Sequence, residues 1–218
     1  MSRPLLLGHR GSRSTGSIRE NTVPAFDLAL QHGCDGLEFD VRLSGDRQAL
    51  VCHDPRSKGM PVATSKRAQL PHLPTLEDVL SRYGQRGFLD IELKVPGLTE
   101  IVLDDVRRHP PARGFVISSF LPEVLLDIRA RSQAIPLGII FEKQVPGWRE
   151  LPIDCLMAEK SLITGTLVDQ VHAAGKRLFA WTVNHKAVML RCAQWGVDAV
   201  ISDRTELLVR TLSRRNPR

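Results

Sequence analysis

Cysteine is scarce in this chain of 218 residues, and the four present, Cys34, Cys52, Cys155 and Cys192, include no CxxC pair. That spacing excludes a disulfide-stapled small domain and gives no cysteine-based zinc motif; their apolar neighbours fit buried thiols in a reducing compartment. Long apolar runs are missing too. No stretch approaches the roughly 20 residues needed to span a bilayer. The only apolar run near the first residue is Leu5-Leu6-Leu7, too short for a signal peptide. The expectation is a cytoplasmic protein without stable membrane insertion. Nor does a GxGxxG turn follow the first predicted strand, which weakens the case for an open dinucleotide-binding sheet.

What is present reads as one globular domain over 1–218, with 42% hydrophobic and 25% charged residues. The net charge of +6 suits an anionic partner, yet Arg210, Arg214, Arg215 and Arg218 fall in the last nine residues. Much of the excess therefore belongs to a tail, with 214–218 expected to be flexible, and no nucleic-acid partner is inferred from it.

The pattern along the chain alternates between short strands and amphipathic helices. Leu5-Leu6-Leu7 predicts a strand buried on both faces, followed by a helix from an Asn21 cap to Gly33. In Gly36–Asp54, Leu37, Phe39, Val41 and Leu43 alternate with Glu38, Asp40 and Arg42, Ser44-Gly45-Asp46 breaks the run, and Leu50-Val51-Cys52 resumes it. An antiparallel hairpin centred near Asp46 and Arg47 pairs positions whose numbers sum to about 93, placing His53 beside Asp40. Residues 55–74 read as a loop with room for one helical turn, and Thr75 caps the next helix. Thereafter strands at 88–94, 114–118, 135–141, 153–158, 177–183 and 198–202 are separated by helices, except in the connection 142–152. Eight strands with helical crossovers predict an α/β fold closed as a (β/α)8 barrel, with a hairpin extension after the second strand and only a short insertion before the second helix. A doubly wound open sheet is the competing architecture.

Barrel active sites lie at the C-terminal strand ends, and there the first three strands carry His9-Arg10, Glu38-x-Asp40 and Glu92-x-Lys94. Glu38, Asp40 and Glu92 supply three oxygen ligands, the chemistry of one divalent cation, Mg²⁺ or Ca²⁺. His9 and His53 beside such a cation fit a general acid and base, while Arg10 and Lys94 add fixed positive charge suited to a phosphodiester. Each acid taken alone reads equally well as a solvated strand residue. The other histidines, His32, His72, His109, His172 and His185, read as surface or capping groups.

Taken in order, His9-Arg10-Gly11, Glu20-Asn21-Thr22, Glu38-x-Asp40-Val41, His53-Asp54, Glu92-x-Lys94, Ser119-Phe120, Trp181-Thr182-Val183-Asn184 and Gly196-Val-Asp-Ala-Val-Ile-Ser-Asp203 resemble the glycerophosphodiester phosphodiesterases. The resemblance implies a TIM barrel that hydrolyses small-molecule glycerophosphodiesters to glycerol 3-phosphate and an alcohol, using Mg²⁺ or Ca²⁺. It implies that Glu38, Asp40 and Glu92 bind the metal, that His9 and His53 form the acid/base pair, that Arg10 and Lys94 hold the phosphate, and that Trp181 walls the substrate. Two departures stand out: a long Ser- and Arg-containing segment before Glu20, with Arg19 where proline commonly precedes Glu-Asn-Thr, and a 55–74 segment shorter than the inserted subdomain of many members. Two rival readings are a phospholipase D-like or lysophospholipid-cleaving enzyme, which needs an exposed apolar rim near 55–74, and a basic nucleic-acid-binding or scaffold protein with a vestigial site.

Overall fold

The computed structural model describes residues 3–13, 17–143 and 147–213, so the expected flexible tail at 214–218 lies outside the described residues. Strand β1 (Leu5–His9) is followed by helix α1 (Val23–Gln31) and β2 (Gly36–Leu43), with β3 (Ala49–Val51) folding back on β2. The insertion carries a two-stranded ribbon, β4 (Arg56–Ser57) and β5 (Met60–Pro61), and two single 3-10 turns at Val62–Thr64 and Arg67–Gln69. Then come α2 (Leu76–Tyr83), β6 (Phe88–Leu93), α3 (Thr99–Arg108), β7 (Phe115–Ser119), α4 (Pro122–Arg131) and β8 (Leu137–Phe141). The chain ends with β9 (Cys155–Glu159), α5 (Gly165–Ala173), β10 (Arg177–Trp181), α6 (Lys186–Trp195), β11 (Ala199–Ser202) and α7 (Thr205–Leu212). Among the described residues, the β8–β9 connection has no helix.

Eight of these strands form one parallel sheet in the order β1-β11-β10-β9-β8-β7-β6-β2, and β1 also pairs with β2, closing the ring. The fold is a (β/α)8 TIM barrel. Because side chains alternate across a strand, odd positions of β2 (Leu37, Phe39, Val41) face the helices and join the larger core. Leu7, Phe88, Val116, Ile140, Met157, Phe179 and Ile201 fill the barrel interior. The same parity turns Glu38 and Asp40 inward. Register then does the rest: His9 pairs with Glu38, Glu38 with Asp90, and Asp40 with Glu92, so the acidic positions stack at one end of the barrel.

The hairpin departs from expectation by one residue. Val41 faces Val51 and Leu43 faces Ala49, so paired numbers sum to 92 and Asp40 accepts a backbone hydrogen bond from Cys52, not from His53. The reason is the turn. Gly45, Asp46 and Arg47 make a three-residue loop in which Arg47 takes a positive φ of 59°, centring the hairpin on Asp46 alone.

At the start of α1 the cap is Thr22, whose side chain accepts from the Ala25 N–H, and not Asn21. A capping residue needs extended backbone, and Thr22 has it (φ −129°), whereas Asn21 is left-handed (φ 56°). The insertion is more ordered than a loop. Val62, Leu70 and Leu73 are buried with Leu50 and Cys52 in a small core, each such side chain contributing roughly 1.5–3 kcal/mol relative to exposure. That burial fixes a segment whose ribbon has only two residues per strand. All four cysteines are buried and free, and no helix among the described residues is long and apolar enough to cross a membrane.

Candidate active site

The site begins where β1 ends. After His9, Arg10 (φ 53°) and Gly11 (φ 83°) turn the chain sharply; a Cβ on Gly11 would stand 2.6 Å from the carbonyl carbon of Ala25, so only glycine fits there. Holding a non-glycine residue such as Arg10 or Asn21 in the left-handed region costs roughly 1–3 kcal/mol, and both are committed to the same carboxylate. The Arg10 Nε lies 3.2 Å from Asp40 Oδ2, and the Asn21 amide donates to that oxygen at 2.7 Å. Arg10 also donates its backbone N–H to Glu38 Oε2 (2.9 Å) and its guanidinium to Glu20 (2.9 Å).

Three carboxylates converge on this turn. Glu38, Asp40 and Glu92 each offer an oxygen within 4.8 Å of the others, and all three are buried. Burial pushes Glu38 well above its ordinary range, and the charges of Asp40, Asp90 and Glu92 push it further. Glu92 rises to about 7, chiefly through burial and Asp40, although Lys94 donates to it at 2.6 Å. Asp40 moves the other way. Against its own burial, Arg10 and Lys94 charges and the Asn21 hydrogen bond hold it below the usual range.

The residues fit a hard divalent cation. Among the described residues, buried Asp40 Oδ1 has no hydrogen-bond donor: Lys94 Nζ is 3.4 Å away but not aligned to donate. A buried oxygen lacking a donor, in a cluster of three mutually repelling carboxylates, is what an oxygen-preferring cation satisfies.

Each selected histidine is anchored through one ring nitrogen. His9 Nδ1 is 2.7 Å from Asp203 Oδ1, and His53 Nδ1 is 2.8 Å from Asp54 Oδ1. Asp203, despite its burial, is held down to about 2 by the hydrogen bond and charge of His9, the Asn184 amide and Arg13. An ionised carboxylate only accepts, so Nδ1 of His9 carries the proton and Nε2 is left with its lone pair in the neutral ring. Asp54, also held below its usual range by His53, sets the same tautomer for His53. The two dyads differ in exposure: side-chain exposure is 12% for His9 and 33% for His53.

A chamber of about 160 Å³ joins these groups. His9, Arg10, Glu38, His53, Glu92 and Lys94 form its polar side, and Phe120, Ile140, Met157, Trp181 and Ile201 its apolar side. Seven of the eight residues selected from the sequence line it; Asp40 is fully buried behind them. Trp181 is pinned by its indole N–H to the Met157 carbonyl (3.0 Å) and by an edge contact with Phe120 at 5.5 Å. Although the hairpin register differs from expectation, His53 still reaches the chamber, its carbonyl held by Arg42 Nε at 2.7 Å.

Sequence reasoning passed over several contributors, among them Asp54, which stood beside His53 in a quoted motif without a role, and Glu142, which also lines the chamber. Asp203 and Asn21 stood in quoted motifs without a role at the site. Phe120 likewise had no role, and Asp90, a wholly buried carboxyl hydrogen-bonded by Ser118 Oγ at 2.6 Å, was not singled out. Strand parity gives Asp90 the same inward face as Glu92, a signal available in the sequence.

Comparisons with known proteins agree with this architecture. The model of the Glycerophosphoryl diester phosphodiesterase family matches residues 9–102 and 58–207. A glycerophosphodiester phosphodiesterase of Caldanaerobacter subterraneus subsp. tengcongensis is 27% identical over 238 residues, covering 94% of this chain and 96% of that protein. A phosphodiesterase from Oleispira antarctica, solved in complex with the product sn-glycerol-3-phosphate, superposes with a TM-score of 0.82 at 27% identity, over 97% of this chain and 98% of the other. A Thermotoga maritima glycerophosphodiester phosphodiesterase shares the fold with a TM-score of 0.81 at 24% identity, over 96% and 99% of the two chains.

Proposed function

Since the chain belongs to the glycerophosphoryl diester phosphodiesterase family, we propose that its chamber hydrolyses glycerophosphodiesters to glycerol 3-phosphate and an alcohol, with a divalent cation, Mg²⁺ or Ca²⁺, held by Glu38, Asp40 and Glu92. The observation that carries this reading is the meeting, in one small chamber, of three clustered carboxylates, two carboxylate-anchored histidines and two cations. A bound cation supplies charge neutralisation and polarisation of a phosphoryl oxygen.

The protein groups divide the remaining work. Arg10 and Lys94 hold the phosphate and favour the charge it gains as the attacking oxygen adds. Nε2 of one histidine removes a proton from the attacking hydroxyl or water, and the other histidine supplies one to the departing alkoxide. Asp203 and Asp54 hold the Nδ1–H of both rings, so each presents Nε2 to the chamber, bare in the histidine that acts as base and protonated in the one that acts as acid. Trp181 and Phe120 exclude water from the apolar side and set the width available to the carbon chain.

The insertion supports a small, water-soluble substrate over a lipid. Val62, Leu70 and Leu73 are buried and Met60 is half-buried, which leaves only alanines and prolines as the exposed apolar residues of 55–74, a smaller rim than a lysophospholipid chain needs. Glycerol 3-phosphate release from a panel of glycerophosphodiesters, after EDTA treatment and with Mg²⁺ or Ca²⁺ restored, tests the proposal. Metal-restored release is expected; no release with any diester or metal overturns it.

A further inference from the structure

Outside the chamber, and sharing His53 with it, lies a second and larger cleft of about 560 Å³. It runs between the segment preceding α1 and the insertion. At about 160 Å³ the chamber is the smaller of the two spaces. His53 is common to both linings, so a diester arm that leaves the chamber on that side enters the outer cleft.

The charges there are unbalanced. Arg19, Arg56 and Lys58 line the cleft, and none makes an ion pair among the described residues: Arg19 donates to Ser57 Oγ at 3.2 Å, Arg56 to the Gly59 carbonyl, and Lys58 stands on a left-handed turn (φ 48°). Its two acids are already engaged, Glu20 with Arg10 and Arg13, and Asp54 with His53. His72, on the same wall and hydrogen-bonded to Ser57, is pushed below its ordinary value by burial and by Lys58, Arg19 and Arg67, as a net positive surrounding requires.

We propose that this cleft is the subsite for the second ester arm, and that it selects an arm bearing its own negative charge: a phosphorylated alcohol. The inference rests on the phosphodiesterase reading above and adds the substrate class. Guanidinium and ammonium groups without an ion-pair partner form charge-assisted hydrogen bonds with a phosphate, whereas a choline arm finds the cleft's two acids, Glu20 and Asp54, already paired.

A matched pair of substrates tests it: glycerophosphoinositol and glycerophosphoinositol 4-phosphate, which differ only by the extra phosphate, with glycerophosphocholine as the cationic comparison. In low salt, kcat/KM is expected to be about tenfold or more higher for the phosphorylated member, and the preference to shrink at high salt. The double variant Arg56→Ala/Lys58→Ala, at two exposed positions with no ion pair to break, should bring the ratio close to one by lowering kcat/KM for the phosphorylated member, while the melting temperature stays close to that of the parent protein. A wild-type ratio of one or less, or a ratio the double variant leaves intact, overturns the subsite while leaving the phosphodiesterase reading standing. Absence of hydrolysis of all three substrates overturns both.

Discussion

His9 Nδ1 lies 2.7 Å from Asp203 Oδ1, although 194 residues separate them. The contact exists because β1 and β11 are neighbours in the closed ring, with Gly8 paired to Ser202. Asp203 is thus a positioning residue for a histidine contributed by the first strand. Asp203→Asn should lower kcat by about 10²-fold or more through loss of the tautomer, as for other histidines oriented by a carboxylate, and should change the pH profile while leaving the metal titration unchanged. Retention of both kcat and the pH profile removes Asp203 from this role.

His9→Ala and His53→Ala should each lower turnover by about 10²-fold or more. Both side chains stand at the rim of the chamber, not in the hydrophobic cores, so the melting temperature should stay close to that of the parent protein. Steady-state assays alongside thermal melts separate the two effects, and near-parental turnover in either variant excludes that histidine.

Cation affinity should depend on pH around neutrality. Glu92 titrates at about 7 in the cation-free protein, so below that value a proton occupies the group a cation needs. Apparent Kd for Mg²⁺ or Ca²⁺ should therefore rise as pH falls from 8 to 6, by up to about tenfold for each pH unit per proton displaced. Calorimetric titrations at pH 8, 7 and 6 check this, and a Kd constant over that range contradicts it. Glu38→Gln should weaken binding at every pH; an unchanged titration removes Glu38 from the ligand set.

Asp90 offers a test of stability. Its carboxyl titrates at about 7 when folded against an ordinary value of 3.8, because burial disfavours its charge despite the Ser118 hydrogen bond. Between those values the folded chain keeps a proton that the unfolded chain has released, so stability falls as pH rises from about 4 to 7 and is flat above. Asp90→Asn removes that penalty, worth a few kcal/mol. In EDTA at pH 8 the variant should melt several degrees higher than the parent, with the gap closing toward pH 4. Equal melting points at pH 8 contradict the assignment.

The sequence made the barrel and most of the chamber legible through two simple regularities. Alternation in Leu37–Leu43 separated core-facing from cavity-facing residues, and the rule that barrel chemistry gathers at C-terminal strand ends brought His9, Glu38, Asp40, Glu92 and Lys94 together. Where reading stopped, the missing information was tertiary or conformational. The hairpin slipped by one residue because Arg47 adopts a positive φ, a choice that few non-glycine residues announce. Asn21 reads as readily as a helix cap as it does as a donor to a buried carboxylate, and only the fold brings Asp40 to it. Asp203 gains its partner only when the last strand finds the first, an event that no local pattern records.

That closure also sets a clock. The β1–β11 ladder joins the two ends of the sequence, and residues from both ends are needed to orient His9. Such contacts carry the largest loop-closure cost and form late. Recovery of activity during refolding should therefore lag behind recovery of helical signal, and a nascent chain cannot become an active catalyst until its final strand has been made.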